Sequence, residues 1–320
     1  MNIEHKKIPL ICVVGPTASG KTEIAVEIAK RYNGEVVSAD SMQIYKQMSI
    51  GTAKPTPTEM CDVPHHLIDM LELSEKFSVA DYAKLAHEVI ADIYSRGKVP
   101  ILAGGTGLYI NAVTKDINFS EINKDDSVKE ELTIILEKSG KEKLYEMLIQ
   151  LDPQEANTID KDNTPRLIRA LEVCRLTGST MTEYKKKNIE LPSRYECLKI
   201  GIDYKNRSEL YDRINFRVSI MVEDGLVEEA KEILASGNIQ TAMQAIGYKE
   251  LIGYFNGEIT LQEAMDKIRQ GSRRYAKRQL TWFRHDEDVN WFYKNTEIDM
   301  ALYKKIIYNC IDNFIKICYY

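Results

Sequence analysis

Eight residues near the amino terminus, Gly15-Pro16-Thr17-Ala18-Ser19-Gly20-Lys21-Thr22, have the types and spacing to hold phosphate. The glycines let the backbone turn its amides inward, and the start of a following helix adds partial positive charge. Lys21 supplies a full charge, and Thr22 a hydroxyl suited to a magnesium ion. The octapeptide sits between an apolar run at 9–14 and an amphipathic run at 22–32, the strand and helix that such a loop needs. The motif leaves its ligand open, because ATP, GTP and an allylic diphosphate all present bridged phosphoryl groups.

Companion residues narrow the chemistry. No aspartate is followed by glycine three residues on, which argues against a GTPase switch. The stretch at 123–126, Asn-Lys-Asp-Asp, imitates a guanine-reading motif but lies in a polar segment outside any expected strand. The apolar run that ends Ile101-Leu102-Ala103-Gly104-Gly105-Thr106 carries glycines where an ATPase places an acid for magnesium. Asp40, ending the run at 34–40, is the carboxylate at a suitable early strand end. It can act as a general base, hold magnesium through water, or merely cap a turn.

These groups need a scaffold. Apolar runs at 9–14, 34–40, 98–110 (which runs into a helix start), 197–203 and 289–293 alternate with helical patterns, which predicts a doubly wound parallel sheet with ligands at the carboxyl strand ends. From about 120 to 190 the pattern is helical, so an all-helical insertion is expected between the third and fourth of these strands. His65 and His66 are adjacent, a spacing that does not point two ligands one way, and a loop is expected there. The chain of 320 residues is 44% hydrophobic and 28% charged with a net charge of −5, so a nucleic-acid partner must be sought in a local patch. One exists: 267–284 holds seven Lys or Arg and no acid. As a helix it would gather Arg273, Arg274, Lys277 and Arg278 on one face, near Tyr275 and Trp282. The six cysteines form no metal or disulfide pattern and read as free, mostly buried thiols. The apolar run at 8–14 is too short to span a bilayer and has no cleavage site, so a cytoplasmic location is expected.

The stretches GPTASGKT, SADSMQIYKQMSIGTAKP (38–55), VPHHLID (63–69), ILAGGTGLYI (101–110), RLIRALEV (166–173), QAIGYKEL (244–251) and KRQLTWFR (277–284) occur in that order. Together they resemble the tRNA dimethylallyltransferases over nearly the whole chain. With no zinc-finger tail before Tyr320, the bacterial type is the closer likeness; the segment 159–172 departs from the pattern in having Asp160, Pro165 and a single Arg166.

The resemblance implies an α/β P-loop NTPase-like core (1–119 and 196–320) and a helical insertion contacting tRNA (120–195). It implies transfer of a dimethylallyl group from dimethylallyl diphosphate to the N6 amine of adenosine 37 in the tRNA anticodon stem-loop, with Mg2+, by a monomer without membrane attachment. Residues 15–22 would hold the diphosphate, Asp40 would be the base, Thr106 would orient the base or the tRNA, and Arg217 would reach the diphosphate. Contacts to tRNA would come from Asp40, Ser41, Met42, Gln43 and Thr106, from Pro165, Arg166, Leu167, Ile168 and Arg169, from Gln244, Ala245, Ile246, Gly247, Tyr248 and Lys249, and from Arg273, Arg274, Lys277 and Arg278. Three other classes share some of these features: a P-loop small-molecule kinase, a nucleotide-dependent RNA-binding switch, and a prenyltransferase acting on free adenylate.

Overall fold

A computed structural model describes residues 7–117, 126–189, 193–237, 239–295 and 299–319. The chain forms two compact units, one of Met1–Thr114 with Arg194–Tyr320 and one of Lys115–Ser193. The junction expected at 119–120 and the stretch 123–125 lie outside the described residues.

The first unit is built on a six-stranded sheet with every pair parallel, in the order β3-β2-β4-β1-β5-β6. The strands are β1 (Ile8–Val14), β2 (Gly34–Ser38), β3 (His65–His66), β4 (Val99–Gly104), β5 (Tyr195–Tyr204) and β6 (Val289–Lys294). Because strand side chains alternate, Leu10, Cys12 and Val14 face one layer while Ile11 and Val13 face the other. Helices Val79–Ser95 and Gly107–Thr114 cover the first face with Ala86, Ile90 and Ile110; Lys21–Tyr32 and Met300–Tyr319 cover the second with Ile24, Ile28 and Ile307. Both faces being covered explains why the strands read as unbroken apolar runs.

A third cluster lies under the loop after β2. There Ile44, Tyr45 and Met48 pack with Leu226, Ala230, Tyr248 and Ile268. Leu210 and Ile214 of helix Arg207–Glu223 meet Ala276 and Leu280 of helix Leu261–Arg284. The latter starts in a capping box, with Thr260 and Glu263 each bonding the other's backbone amide.

His65 and His66 correct the expected loop: they form β3, pairing with Val36 and Val37. Glu35 anchors this edge, taking Arg96 at 2.6 and 2.7 Å, Lys98 at 2.6 Å and His66 Nε2 at 2.7 Å. The cysteines are free, but Cys61 is exposed and only Cys12 and Cys318 are buried.

The described residues of the second unit are helical, with Asp126–Leu151, Thr164–Thr177 and Met181–Ile189 as its longer elements. Gly140 breaks the first at φ 79°, ψ 174°. Leu132, Leu144, Leu148, Leu167 and Leu171 make its core.

Candidate active site

The phosphate loop joins β1 to helix Lys21–Tyr32. Gly15 takes φ 144°, and a Cβ there would stand 2.3 Å from the Ile202 carbonyl oxygen on β5, so only glycine fits. Ala18 at φ 62° and Gly20 at φ 88° complete the turn. No side chain caps the helix at Gly20, which leaves its first amides available to a ligand. Lys21 folds back, donating from Nζ to the Pro16 carbonyl at 2.6 Å. Burial, then the nearby Arg217 guanidinium, lower Lys21 from 10.5 to about 7, with Asp40 pulling the other way. Ser19 is fully buried, and its Oγ has no partner among the described residues.

Two turns are stitched beside this loop. Ala39 donates its N–H to the Ala103 carbonyl at 2.8 Å, and Thr106 donates its own to the Ala39 carbonyl at 3.1 Å. Asp40 Oδ1 then accepts from the Met42 and Gln43 amides at 2.9 and 3.3 Å, while its Oδ2 has no bond among the described residues. One oxygen caps the turn and the other is not engaged by it. Thr106 Oγ1 accepts from the Ser41 amide at 3.1 Å, so this hydroxyl fixes the Asp40 turn, while the Thr106 carbonyl accepts from the Tyr109 and Ile110 amides of the helix that follows.

The phosphate loop and the Asp40 turn border one cavity of about 270 Å³ within the first unit; Thr106 is not on its wall and bears on it through the Ser41 amide. Thr17, Ala18, Lys21, Thr22, Asp40 and Arg217 are on its wall. The guanidinium of Arg217 donates to the Ala53 carbonyl at 3.2 Å, and burial works against its charge. Opposite chemistry comes from Ile246, within the QAIGYKEL stretch, and from Ile214, Val218, Met221 and Ile268, which no short motif announces. Sequence reasoning also missed Gln279, whose amide reaches the loop. The signal was there: Ile268, Ser272, Tyr275 and Gln279 recur at helical spacing and all line the cavity, while the charge run drew the eye to another face.

The residues expected to meet RNA separate into groups. Ser41, Met42, Gln43, Gln244, Ala245, Ile246, Gly247, Lys249 and Arg278 line the cavity with Asp40. The Gln43 side chain is already engaged, donating to the Thr52 and Ala53 carbonyls at 3.1 and 3.2 Å. Tyr248 corrects the expectation: it is fully buried in the third cluster, its hydroxyl bonded to Glu229 Oε1 at 2.9 Å. Leu167 does likewise in the second unit, where it is fully buried in the helical core beneath exposed Pro165, Arg166 and Arg169. Half-buried Ile168 packs against that same core. The single basic face divides too. Arg274, Lys277 and Arg278 are exposed, but half-buried Arg273 turns to Asn215 at 2.6 Å.

A magnesium ion keeps several waters and is held by one or two protein oxygens plus phosphate. The cavity-lining Thr22 hydroxyl and the free Asp40 oxygen suit an ion carried in with a diphosphate. No group of three or more His, Cys, Asp or Glu placed to hold a metal occurs among the described residues. Nor is any helix among them long and apolar enough to cross a membrane.

Comparison with known proteins places this geometry in a family. The model of the family described as IPP transferase matches residues 43–286. A tRNA dimethylallyltransferase of Caldanaerobacter subterraneus is 49% identical over 289 residues, 89% of this chain and 92% of that protein. The crystal structure of a tRNA isopentenylpyrophosphate transferase from Bacillus halodurans superposes with a TM-score of 0.73 at 46% identity, covering 98% of each chain. A eukaryotic dimethylallyltransferase, solved acting on tRNA, gives 0.78 at 25% identity, over 96% of this chain and 80% of that one. With the phosphate loop, the Asp40 turn and the parallel sheet described above, this chain belongs to the IPP transferase family, that of the tRNA dimethylallyltransferases.

Proposed function

We propose that the chain transfers the dimethylallyl group of dimethylallyl diphosphate to the N6 amine of adenosine 37 in the anticodon stem-loop of tRNA, giving N6-(dimethylallyl)adenosine and diphosphate. The observation that carries this reading is the shared cavity, whose lining brings together Lys21 and Thr22 of the phosphate loop, the Asp40 carboxylate and the apolar side chains of Ile214, Val218, Met221 and Ile268. The names of the relatives support the prenyl group and the tRNA acceptor.

In this reading the allylic C1–O bond breaks and its electron pair leaves with the diphosphate. Charge grows on the leaving oxygens, so the loop amides, protonated Lys21 and Arg217 aid the transition state more than the ground state. Magnesium, when bound, neutralises part of that charge. Ile214, Val218, Met221 and Ile268 shelter the cationic allyl fragment from water. The adenine amine is a weak nucleophile because its lone pair is delocalised into the ring. Asp40 takes the N6 proton as the N6–C1 bond forms, the turn being held by Thr106.

An adenine modified at this amine must leave its stack, and loops are where RNA bases can be splayed out. Exposed Lys249, Arg274, Lys277 and Arg278 supply cations for phosphate near the cavity in the first unit, and Arg166 and Arg169 are exposed in the second. The protein acts as a monomer in this scheme.

The test incubates the protein, magnesium and labelled dimethylallyl diphosphate with unmodified tRNA, with AMP, or alone. Label on tRNA, recovered as N6-(dimethylallyl)adenosine at position 37, is expected. Label on AMP instead, or none anywhere, overturns the reading.

A further inference from the structure

Gln279 touches both loops of the site although no step of the chemistry uses it. It is 6% exposed. Its Oε1 accepts from the Thr17 amide of the phosphate loop at 2.8 Å, and its Nε2 donates to the Gly105 carbonyl at 3.0 Å. The partners force the orientation, since a backbone N–H can only donate and a carbonyl only accept. Gly105 is shaped for the contact: a Cβ there would lie 2.1 Å from Gln279 Nε2. One turn earlier, Tyr275 lines the same cavity, its side chain beside Thr106 and Gln279.

We propose that Gln279 is a positioning residue. It fixes the spacing between the diphosphate loop and the 105–106 turn. Through Thr106 and the Ser41 amide, it also sets the diphosphate in register with the Asp40 carboxylate. The inference rests on the diphosphate-and-base reading above. The physical argument is that one rigid amide satisfies a buried donor and a buried acceptor on two different loops. Losing it leaves both unpaired, and the loops are then free to drift. The bond also withdraws the Thr17 amide from those that can point at phosphate, so the ligand-facing cradle begins at Ala18. Register matters because a shift of about 1 Å between reacting groups costs on the order of 10²-fold in rate.

Gln279→Met keeps the volume and removes both bonds. In steady-state assays it is expected to raise KM for dimethylallyl diphosphate about tenfold and to lower kcat on the order of 10²-fold, with KM for tRNA unchanged and cooperative melting retained. Gly105→Ala, whose methyl displaces the amide, should give the same pattern and serves if Gln279→Met does not fold. Adding Gly105→Ala to Gln279→Ala should change little more, because both act on one contact. Normal kcat and prenyl-diphosphate KM in Gln279→Met or Gly105→Ala overturns the proposal, as does full additivity in the double variant. Titration calorimetry with inorganic diphosphate and magnesium separates the two readings. If the wild type binds diphosphate but prenylates no tRNA, the functional reading fails alone, and Gln279 is judged by the affinity of its variants. If the wild type prenylates tRNA and the variants match it, the positioning role fails alone.

Discussion

Lys21 and Arg217 share one buried cavity wall, where burial first and the Arg217 guanidinium second push the lysine down from 10.5 to about 7 against the pull of Asp40. A bound diphosphate stabilises the protonated form and raises that pKa again. Below about 7 the lysine is protonated with or without ligand; above it, binding must take up a proton. KM for the prenyl diphosphate is therefore expected to rise with pH above about 7, by up to about tenfold per pH unit. Lys21→Arg, charged throughout, should flatten this rise, and parallel KM profiles of the two proteins would refute it.

Asp40 divides its labour between two oxygens, one holding the turn and one free. Asp40→Asn can still accept the two backbone bonds but cannot accept the N6 proton. Its kcat is expected to fall about 10²–10⁴-fold, with diphosphate affinity by calorimetry changed little. Near-normal turnover would remove the base assignment.

Arg274 and Lys277 are exposed and lie outside the cavity wall. If they meet tRNA phosphates, Arg274→Gln and Lys277→Gln should each weaken tRNA binding and each reduce the slope of log affinity against log salt by about 1. The KM for dimethylallyl diphosphate should not move. Unchanged salt slopes in filter binding would place the RNA elsewhere.

Tyr248 acts on the fold. Glu229 accepts from the Ser49, Ile50 and Gly51 amides at 2.8 to 2.9 Å and from the Tyr248 hydroxyl. Tyr248→Phe removes a buried bond to a charged acceptor and should cost about 1.5–3 kcal/mol of stability in denaturant titrations. At temperatures where the variant is folded, its tRNA KM should equal that of the wild type.

What could be read beforehand follows from the range of the interactions. The phosphate loop is a local object, in which strand, turn and helix occupy one short stretch, so its spacing revealed both its shape and its chemistry. Asp40 was legible for the same reason, as a polar end to an apolar strand. The helical spacing of Ile268, Ser272, Tyr275 and Gln279 marks a shared face, but Gln279 and Thr17 are 262 residues apart, and nothing local says what that face meets. The apolar wall was hidden because Ile214, Val218 and Met221 carry the same helical period as any core-facing stripe. Tyr248 misled because it shares the stretch 244–249 with exposed Gln244 and Lys249, and only tertiary packing turned its ring inward. Two histidines in a row carry no strand signal; the ladder on β2 imposed one.

That two-residue ladder bears on how these molecules behave in company. β3 pairs only at Val36 and Val37, so this border of the sheet offers an incoming strand almost no free backbone to zip onto. The charges of Arg96 and Lys98 around Glu35, with His66 bonded to the same carboxylate, make an apolar newcomer still less welcome. Concentrated solutions of the chain should consequently resist fibril growth from this border, a quality of handling and storage that has nothing to do with the reaction.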